Sequence, residues 1–245
     1  MKRITIFFVL CFVAFPMLFS CAMGSWNVVK GNHQIVNETI AIDDYDEIAL
    51  SLSADVIYRQ IAQEEPFLQV TVDENILHLL TIYVQNNRLI IKSENNVNLH
   101  PSRFVIYTNS RSLSKVSIAG SGDVALENAV NARDMKISIT GSGDIKTDSL
   151  YCEQLDVSIT GSGSATLKGA TTHSQYSITG SGDIRAYDHL VENLDCRISG
   201  SGDIQAYVDK KLYARISGSG DIRYKGNPES VDTKVSGSGD IRKVN

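Results

Sequence analysis

The sequence predicts an all-β chain wound as a right-handed parallel β-helix, with about 20 residues per coil and irregular coils at its N-terminal end. Three observations predict it. First, Gly-Ser-Gly-Asp begins at Gly120, Gly141, Gly180, Gly200, Gly218 and Gly237, with a Gly-Ser-Gly-Ser variant at Gly161, at spacings of 21, 20, 19, 20, 18 and 19 residues. Second, apolar residues alternate with polar ones around each copy, which is the period of a strand with one buried face. Third, no helical pattern fills the space between copies, so each repeat is strand and corner only. The handedness follows from the general rule for parallel crossovers.

The apolar columns define the coil. Two residues before the first glycine stand Ile118, Ile139, Ile159, Ile178, Ile198, Ile216 and Val235. Four residues after it stand Val124, Ile145, Ala165, Ile184, Ile204, Ile222 and Ile241. The column four before is looser, with Tyr176, Cys196, Ala214 and Thr233 among Val116, Ile137 and Val157. The column six before holds Met135, Leu155, Leu194, Leu212 and Val231, interrupted by Ser114 and Ser174. Stacked about 4.8 Å apart, these columns become apolar ladders that fill a narrow interior.

Fourteen of the 18 glycines lie in the seven signatures: Gly120 and Gly122, Gly141 and Gly143, Gly161 and Gly163, Gly180 and Gly182, Gly200 and Gly202, Gly218 and Gly220, Gly237 and Gly239. Glycine at both places predicts a corner where φ is positive or the backbone of the next coil comes close. The third residue after the first glycine forms a column of Asp123, Asp144, Asp183, Asp203, Asp221 and Asp240. Stacked carboxylates repel, and Lys146, Arg185, Arg223 and Arg242, two residues further on, offer compensation, as do Arg197, Arg215 and Lys234 on the other side of the corner. The preferred reading is that each Asp caps turn N–H groups. The alternative is a Ca²⁺ ladder, which one carboxylate per coil beside a cation supports poorly, so neither metal nor cofactor is expected.

Ser138 with Thr140, Ser158 with Thr160 and Ser177 with Thr179 predict a flat hydroxyl strip about three coils tall. Such residues are also ordinary on a solvent-facing strand.

The first half is less regular. Strands are expected over 48–52, 56–60, 67–72, 81–84, 88–92 and 104–107, with a turn at Asn86-Asn87 and a short helix over 73–80 that Asp73 caps. Ile48 to Val56 aligns with Val116 to Val124, Leu52 and Ala54 standing in for the glycines. This reads as a degenerate first coil. Residues 44–112 are therefore expected to form irregular coils continuous with the regular ones at 113–245, after a tether at 22–43. The last coil follows Asp240 with only five residues, so its edge is expected to be open, and end-to-end pairing with another subunit is one consequence.

Residues 1–21 read as a secretion signal. Lys2 and Arg3 precede the apolar run Ile4 to Leu18, which then reaches Phe19-Ser20-Cys21. Leu18, Ser20 and Cys21 fit a lipobox, with Cys21 the lipidated residue; the rival is simple cleavage after Ala22. Export followed by lipid anchoring in the envelope is expected, on the periplasmic face or the cell surface. Ala22 to Lys30 lacks Asp and Glu, which mildly favours the inward address.

A net charge of −5 with few aromatics argues against a nucleic-acid surface. Cys152 and Cys196 fall about two coils apart and are expected to be reduced and buried. His33, His78, His100, His173 and His189 show no metal spacing, and no serine stands in a nucleophile-elbow setting.

Gly-Ser-Gly-Asp-Ile, Tyr45-Asp46-Glu47-Ile48 and Val72-Asp73-Glu74-Asn75-Ile76-Leu77 together resemble the head GIN domain family, bacterial proteins described as “putative autotransporter adhesins”. The resemblance runs from about Ile42 to Ile241. It implies a right-handed β-helix-like fold, secretion and, often, a lipid anchor, and it carries no catalytic residues. The resulting expectation is a non-catalytic envelope lipoprotein that binds glycan or protein. An accessory periplasmic lipoprotein that self-associates is the alternative, and a polysaccharide-processing enzyme is a weaker one, because regular coils leave little room for the loops on which sites are usually built.

Overall fold

The computed structural model describes residues 27–245, almost all of them in strands and corners. The signal segment and Cys21 lie outside the described residues. From Lys115 onward the chain is a parallel β-solenoid. The first glycines pair in an unbroken register: Gly120 with Gly141, then Gly161, Gly180, Gly200, Gly218 and Gly237. In the middle coils the strands run on around the corners, as in Asp144–Gly161, Ser164–Gly180, Asp183–Gly200 and Asp203–Gly218.

The inward columns are those the alternation predicts. Ile118, Ile139, Ile159, Ile178, Ile198 and Ile216 are at most 3 % exposed, and Ile145, Ala165, Ile184, Ile204 and Ile222 are fully buried. Each side chain rests on its counterpart one coil away, so the interior is a set of continuous apolar stacks. The last strand of that face, Ser230–Gly237, is exposed along its whole length.

The N-terminal part departs from simple stacking. The strands Glu47–Ser51 and Asp55–Gln60 form the degenerate coil, and its register on the next coil is the aligned one: Ile48 on Val116, Leu50 on Ile118, Asp55 on Asp123 and Val56 on Val124. On its other side this coil pairs in parallel with Arg88–Ser93 and Phe104–Ser110. Chain order and stacking order therefore differ, because the later strands lie outside the earlier coil. Antiparallel strands close that end: Leu80–Gln85 pairs with Arg88–Ser93, and Phe67–Asp73 lies between Ile35–Ala41 and Phe104–Ser110. The irregular half is thus a mixed cap rather than a run of early coils.

Local chemistry explains the cap. Asn86 and Asn87 adopt φ of 52° and 59°, the two-residue hairpin turn that joins antiparallel strands. Tyr45 and Tyr58 carry hydroxyls into the interior, and each finds a partner, Thr108 Oγ1 at 2.7 Å and Ser110 Oγ at 2.8 Å. Burial raises both phenols, that of Tyr58 to about 12.

Two expectations need correction here. The stretch read as a tether contains the strands Asn27–Lys30, paired with Val97–His100, and Ile35–Ala41. Ile35–Ala41 is an edge strand with no fully buried residue, so its alternation is weak in the sequence. The short helix exists only as Glu74–Leu77, and the Asp73 side chain does not cap it. The buried Asp73 carboxylate instead receives the His33 and Ser102 N–H groups and the Ser102 hydroxyl, each at 2.7 Å, which ties three chain segments together. Burial alone would raise its pKa; these hydrogen bonds outweigh that and leave it lowered.

The coil from Gly161 to Gly180 puts polar groups inside. Thr171, Ser174 and Tyr176 occupy inward positions that are mostly aliphatic in the other coils, and His189 of the next coil is fully buried with Nε2 2.6 Å from Thr171 Oγ1. Cys152 and Cys196 are both free thiols; Cys196 is fully buried, whereas Cys152 is only partly so, 3.5 Å from Thr171 Oγ1 at a bend of its coil.

Two measurements check this description. Gly200 has φ of +135°, and a Cβ there would overlap the Gly180 carbonyl, whereas Ser201 is exposed. Gly200→Val is expected to cost about 3 kcal/mol or more, a fall in Tm of roughly 10 °C, and Ser201→Thr almost nothing; equal Tm values would contradict the corner geometry. Burial lowers His189 from 6.5 to about 4. Between those values the unfolded chain holds the extra proton, so stability falls as pH drops through that window, by up to about 3 kcal/mol. His189→Leu is expected to flatten the fall in Tm between about pH 6.5 and pH 4, and an unchanged slope would contradict the buried neutral imidazole.

Candidate functional site

The corner comes first because it positions everything else. Ser142, Ser162, Ser181, Ser201, Ser219 and Ser238 each donate their backbone N–H to the first glycine carbonyl of the preceding coil, at 2.8–2.9 Å. That carbonyl occupies the place where a Cβ of the stacked glycine would lie. The second glycine is constrained in the same way: a Cβ on Gly202 would overlap the Gly182 carbonyl and press on the Ile178 side chain. The signature glycines from Gly122 to Gly239 stand where the backbone of the preceding coil leaves no room for a Cβ. They shape the scaffold.

The Asp column lies one residue beyond. Asp123 Oδ1 accepts the Asp144 N–H at 2.8 Å, Asp203 Oδ1 accepts that of Asp221 at 2.9 Å, and Asp221 Oδ1 accepts that of Asp240 at 3.0 Å. Asp144 receives both the N–H and the hydroxyl of Ser164. Ser164 has no carboxylate to offer, and the next N–H, that of Asp183, turns to the Gly163 carbonyl instead. Arginines balance the charge: Arg223 bridges Asp203 at 3.1 Å and Asp221 at 2.7 Å, and Arg185 pairs with Asp183 at 2.6 Å. The column is a set of inter-coil caps. Among the described residues, no three His, Cys, Asp or Glu side chains converge as a metal site would require.

The hydroxyl strip is in register. Ser138, Ser158 and Ser177 stack, as do Thr140, Thr160 and Thr179, and Ser158 Oγ bonds Ser138 Oγ at 3.2 Å. The Thr column continues through Ser199, Ser217 and Ser236, further than the three coils read from the sequence.

Beside this strip runs a groove of about 820 Å³, parallel to the stacking axis. Three adjacent columns form it. One rim is Asp134, Gln154, His173, Asn193, Lys211 and Ser230. The other is Lys136, Asp156, Gln175, Asp195, Tyr213 and Asp232. Between them lies the column of Met135, Leu155, Ser174, Leu194 and Leu212, each at most 6 % exposed. Five coil steps separate Asp134 from Ser230, so the groove is roughly 24 Å long. Its volume falls within the range of about 300–1,000 Å³ usual for small-molecule sites.

On the rim of Lys136 to Asp232 the carboxylates are each paired with a cation of the protein. Lys136 pairs with Asp156 at 3.3 Å, Arg197 with Asp195 at 3.0 Å and Arg215 with Asp232 at 2.8 Å. Tyr213, 37 % exposed, stands as a wall with the Arg215 guanidinium 3.7 Å from its ring centroid. The rims were not legible beforehand, because a solvent-facing polar column has no periodic signature. The available signal was the pair of positions seven and five residues before each first glycine, which are polar from the Gly141 copy onward, with Leu113 the exception before Gly120.

The caps give a direct test. Asp203→Ala removes the acceptor of the Asp221 N–H and one of two partners of Arg223. It is expected to cost about 1 kcal/mol, or about 3 °C in Tm, with Ca²⁺ and chelator leaving the unaltered chain at the same Tm. A Ca²⁺-dependent rise would contradict the capping role.

Comparison with known proteins agrees with this architecture. A “putative lipid binding protein” from Parabacteroides distasonis is 31 % identical, with a TM-score of 0.77 over 89 % of this chain and 100 % of that one. A “putative adhesin” from Parabacteroides merdae is 30 % identical, with a TM-score of 0.72 and the same coverage of both chains. A “putative adhesin” from Bacteroides fragilis shares the fold, with a TM-score of 0.85 at 24 % identity over 88 % of this chain and 100 % of that one. Among proteins of curated function, none matches. Residues 44–228 match the family described as “Putative auto-transporter adhesin, head GIN domain”, and with most of its solenoid inside that match the chain belongs to the head GIN domain family.

Proposed function

We propose that this chain is a non-catalytic adhesion module, lipid-anchored in the bacterial cell envelope through Cys21, and that the axial groove is its binding face. The groove carries the reading. It joins a continuous inward column to two polar rims over six coils, and the rigid stack beneath fixes all three. A site of this form suits an extended ligand held by many weak, repeated contacts, which is what adhesion requires. The family description supports an adhesin-like role in a secreted or envelope protein. The leader supports the anchor, since Leu18, Ser20 and Cys21 end the apolar run as a lipobox does. Lipid chains at the N-terminus would hold the chain at a membrane, with the solenoid projecting from it.

A tagged chain and its Cys21→Ala variant test the anchor and the address together. The unaltered chain is expected in the membrane fraction and open to protease on intact cells, and the variant is expected in the soluble fraction. A variant that stays in the membrane fraction would contradict lipidation at Cys21. A chain that resists protease until the outer membrane is breached would contradict adhesion and favour an accessory periplasmic role.

A further inference from the structure

We propose that the axial groove takes a neutral, linear polysaccharide, laid along the stacking axis with one sugar ring per coil. This rests on the reading of the groove as the binding face and adds the class of its ligand.

The first reason is register. The rims repeat once per coil, about 4.8 Å, while an extended peptide advances only about 3.3 Å per residue. A peptide in this groove would drift out of step with the side chains within two or three residues. A pyranose ring in a linear glycan advances by close to one coil, so equivalent atoms of successive rings meet equivalent rim positions. A peptide also binds strands chiefly through a free sheet edge. This groove lies across the paired interior of the stack, from Asp134 to Ser230, where backbone groups already bond to the neighbouring coils.

The second reason is the chemistry of the rims. Gln154, His173 and Asn193 stand in successive coils of one rim, and Gln175 faces them from the other. Amides offer a donor and an acceptor together, which matches the dual character of sugar hydroxyls. The column between the rims is buried in the core, so the ligand contacts come from the rim side chains. Charge separates neutral from acidic glycans. Asp156, Asp195 and Asp232 are each held by a cation of the protein, and Asp134 and Lys211 on the other rim balance one another in sign, so the groove has no surplus positive charge for a polyanion.

The test is titration of the purified full chain with cellohexaose, mannohexaose, xylohexaose and, as the polyanion, hexagalacturonate. At least one neutral hexasaccharide is expected to bind, and its disaccharide at least about tenfold more weakly, since fewer coils are engaged. The affinity is expected to hold between about 0.05 M and about 0.5 M salt. In the triple variant Gln154→Ala, Gln175→Ala, Asn193→Ala the two glutamines are exposed, while Asn193 is half-buried and gives up one hydrogen bond, to the Thr172 carbonyl at 3.3 Å. It is expected to keep its Tm to within about 3 °C and lose at least about tenfold in affinity. Absence of binding to every neutral hexasaccharide overturns the proposal, as does salt-sensitive binding of hexagalacturonate alone, or an unaffected triple variant. Adherence of cells displaying the chain separates the two levels. If no glycan binds but the triple variant loses adherence, the ligand class is wrong and the groove stands. If adherence is also unchanged, the groove is not the binding face.

Discussion

At every corner of the regular stack one hydrogen bond recurs beside the strand ladders, from the serine N–H of the signature to the first glycine carbonyl of the preceding coil. The carbonyl that accepts this bond fills the space a Cβ would need, so the bond and the glycine are two sides of one constraint. With the corner pinned, the strands on both sides stack without slipping. Their isoleucines fall on isoleucines, and the carboxylate of one coil reaches the N–H of the next. A register error of one residue would turn every inward side chain outward, and the corner is what prevents it.

Variation is tolerated where this bond is kept. The coil beginning at Gly161 loses its carboxylate to Ser164 and takes Tyr176, Ser174 and Thr171 into its interior. The Ser162 and Ser181 bonds on either side of it are nevertheless intact. At the N-terminal end Leu52 and Ala54 replace the glycines in a coil still paired in parallel on both sides, and antiparallel strands enter only beyond it. The Asp73 carboxylate, which links the segments around His33 and Ser102, ties part of this cap together through side-chain chemistry in place of stacking.

The regular half was legible in the sequence because backbone crowding leaves a mark that side-chain choice cannot erase. Glycine recurs wherever a carbonyl intrudes, and isoleucine wherever a narrow interior must be filled. The degenerate coil was legible to the residue, Ile48 on Val116 and Asp55 on Asp123, for the same reason. The cap was not. Its strands could be placed along the chain, but their pairing depends on contacts such as Val36 with Val72 that no local pattern encodes. Ile35–Ala41 reads as a tether because an edge strand with only Val36 and Ile40 half-buried has little alternation to show. The groove was hidden for a related reason. Gln154, His173, Asn193 and Gln175 are unremarkable as polar residues, and only the register places them side by side.

The account joins these levels. A corner that fixes register turns single polar residues into ladders, and the ladders make a rigid, repetitive binding face without loops. Amide hydrogen exchange tests this most directly. Ser142, Ser162, Ser181, Ser201, Ser219 and Ser238 are exposed residues at turns, where amides ordinarily exchange fast. If the inter-coil bond governs the stack, their amides exchange as slowly as those of the neighbouring strands. Exchange at the rate of open loop amides would show that the corner does not hold the coils in step.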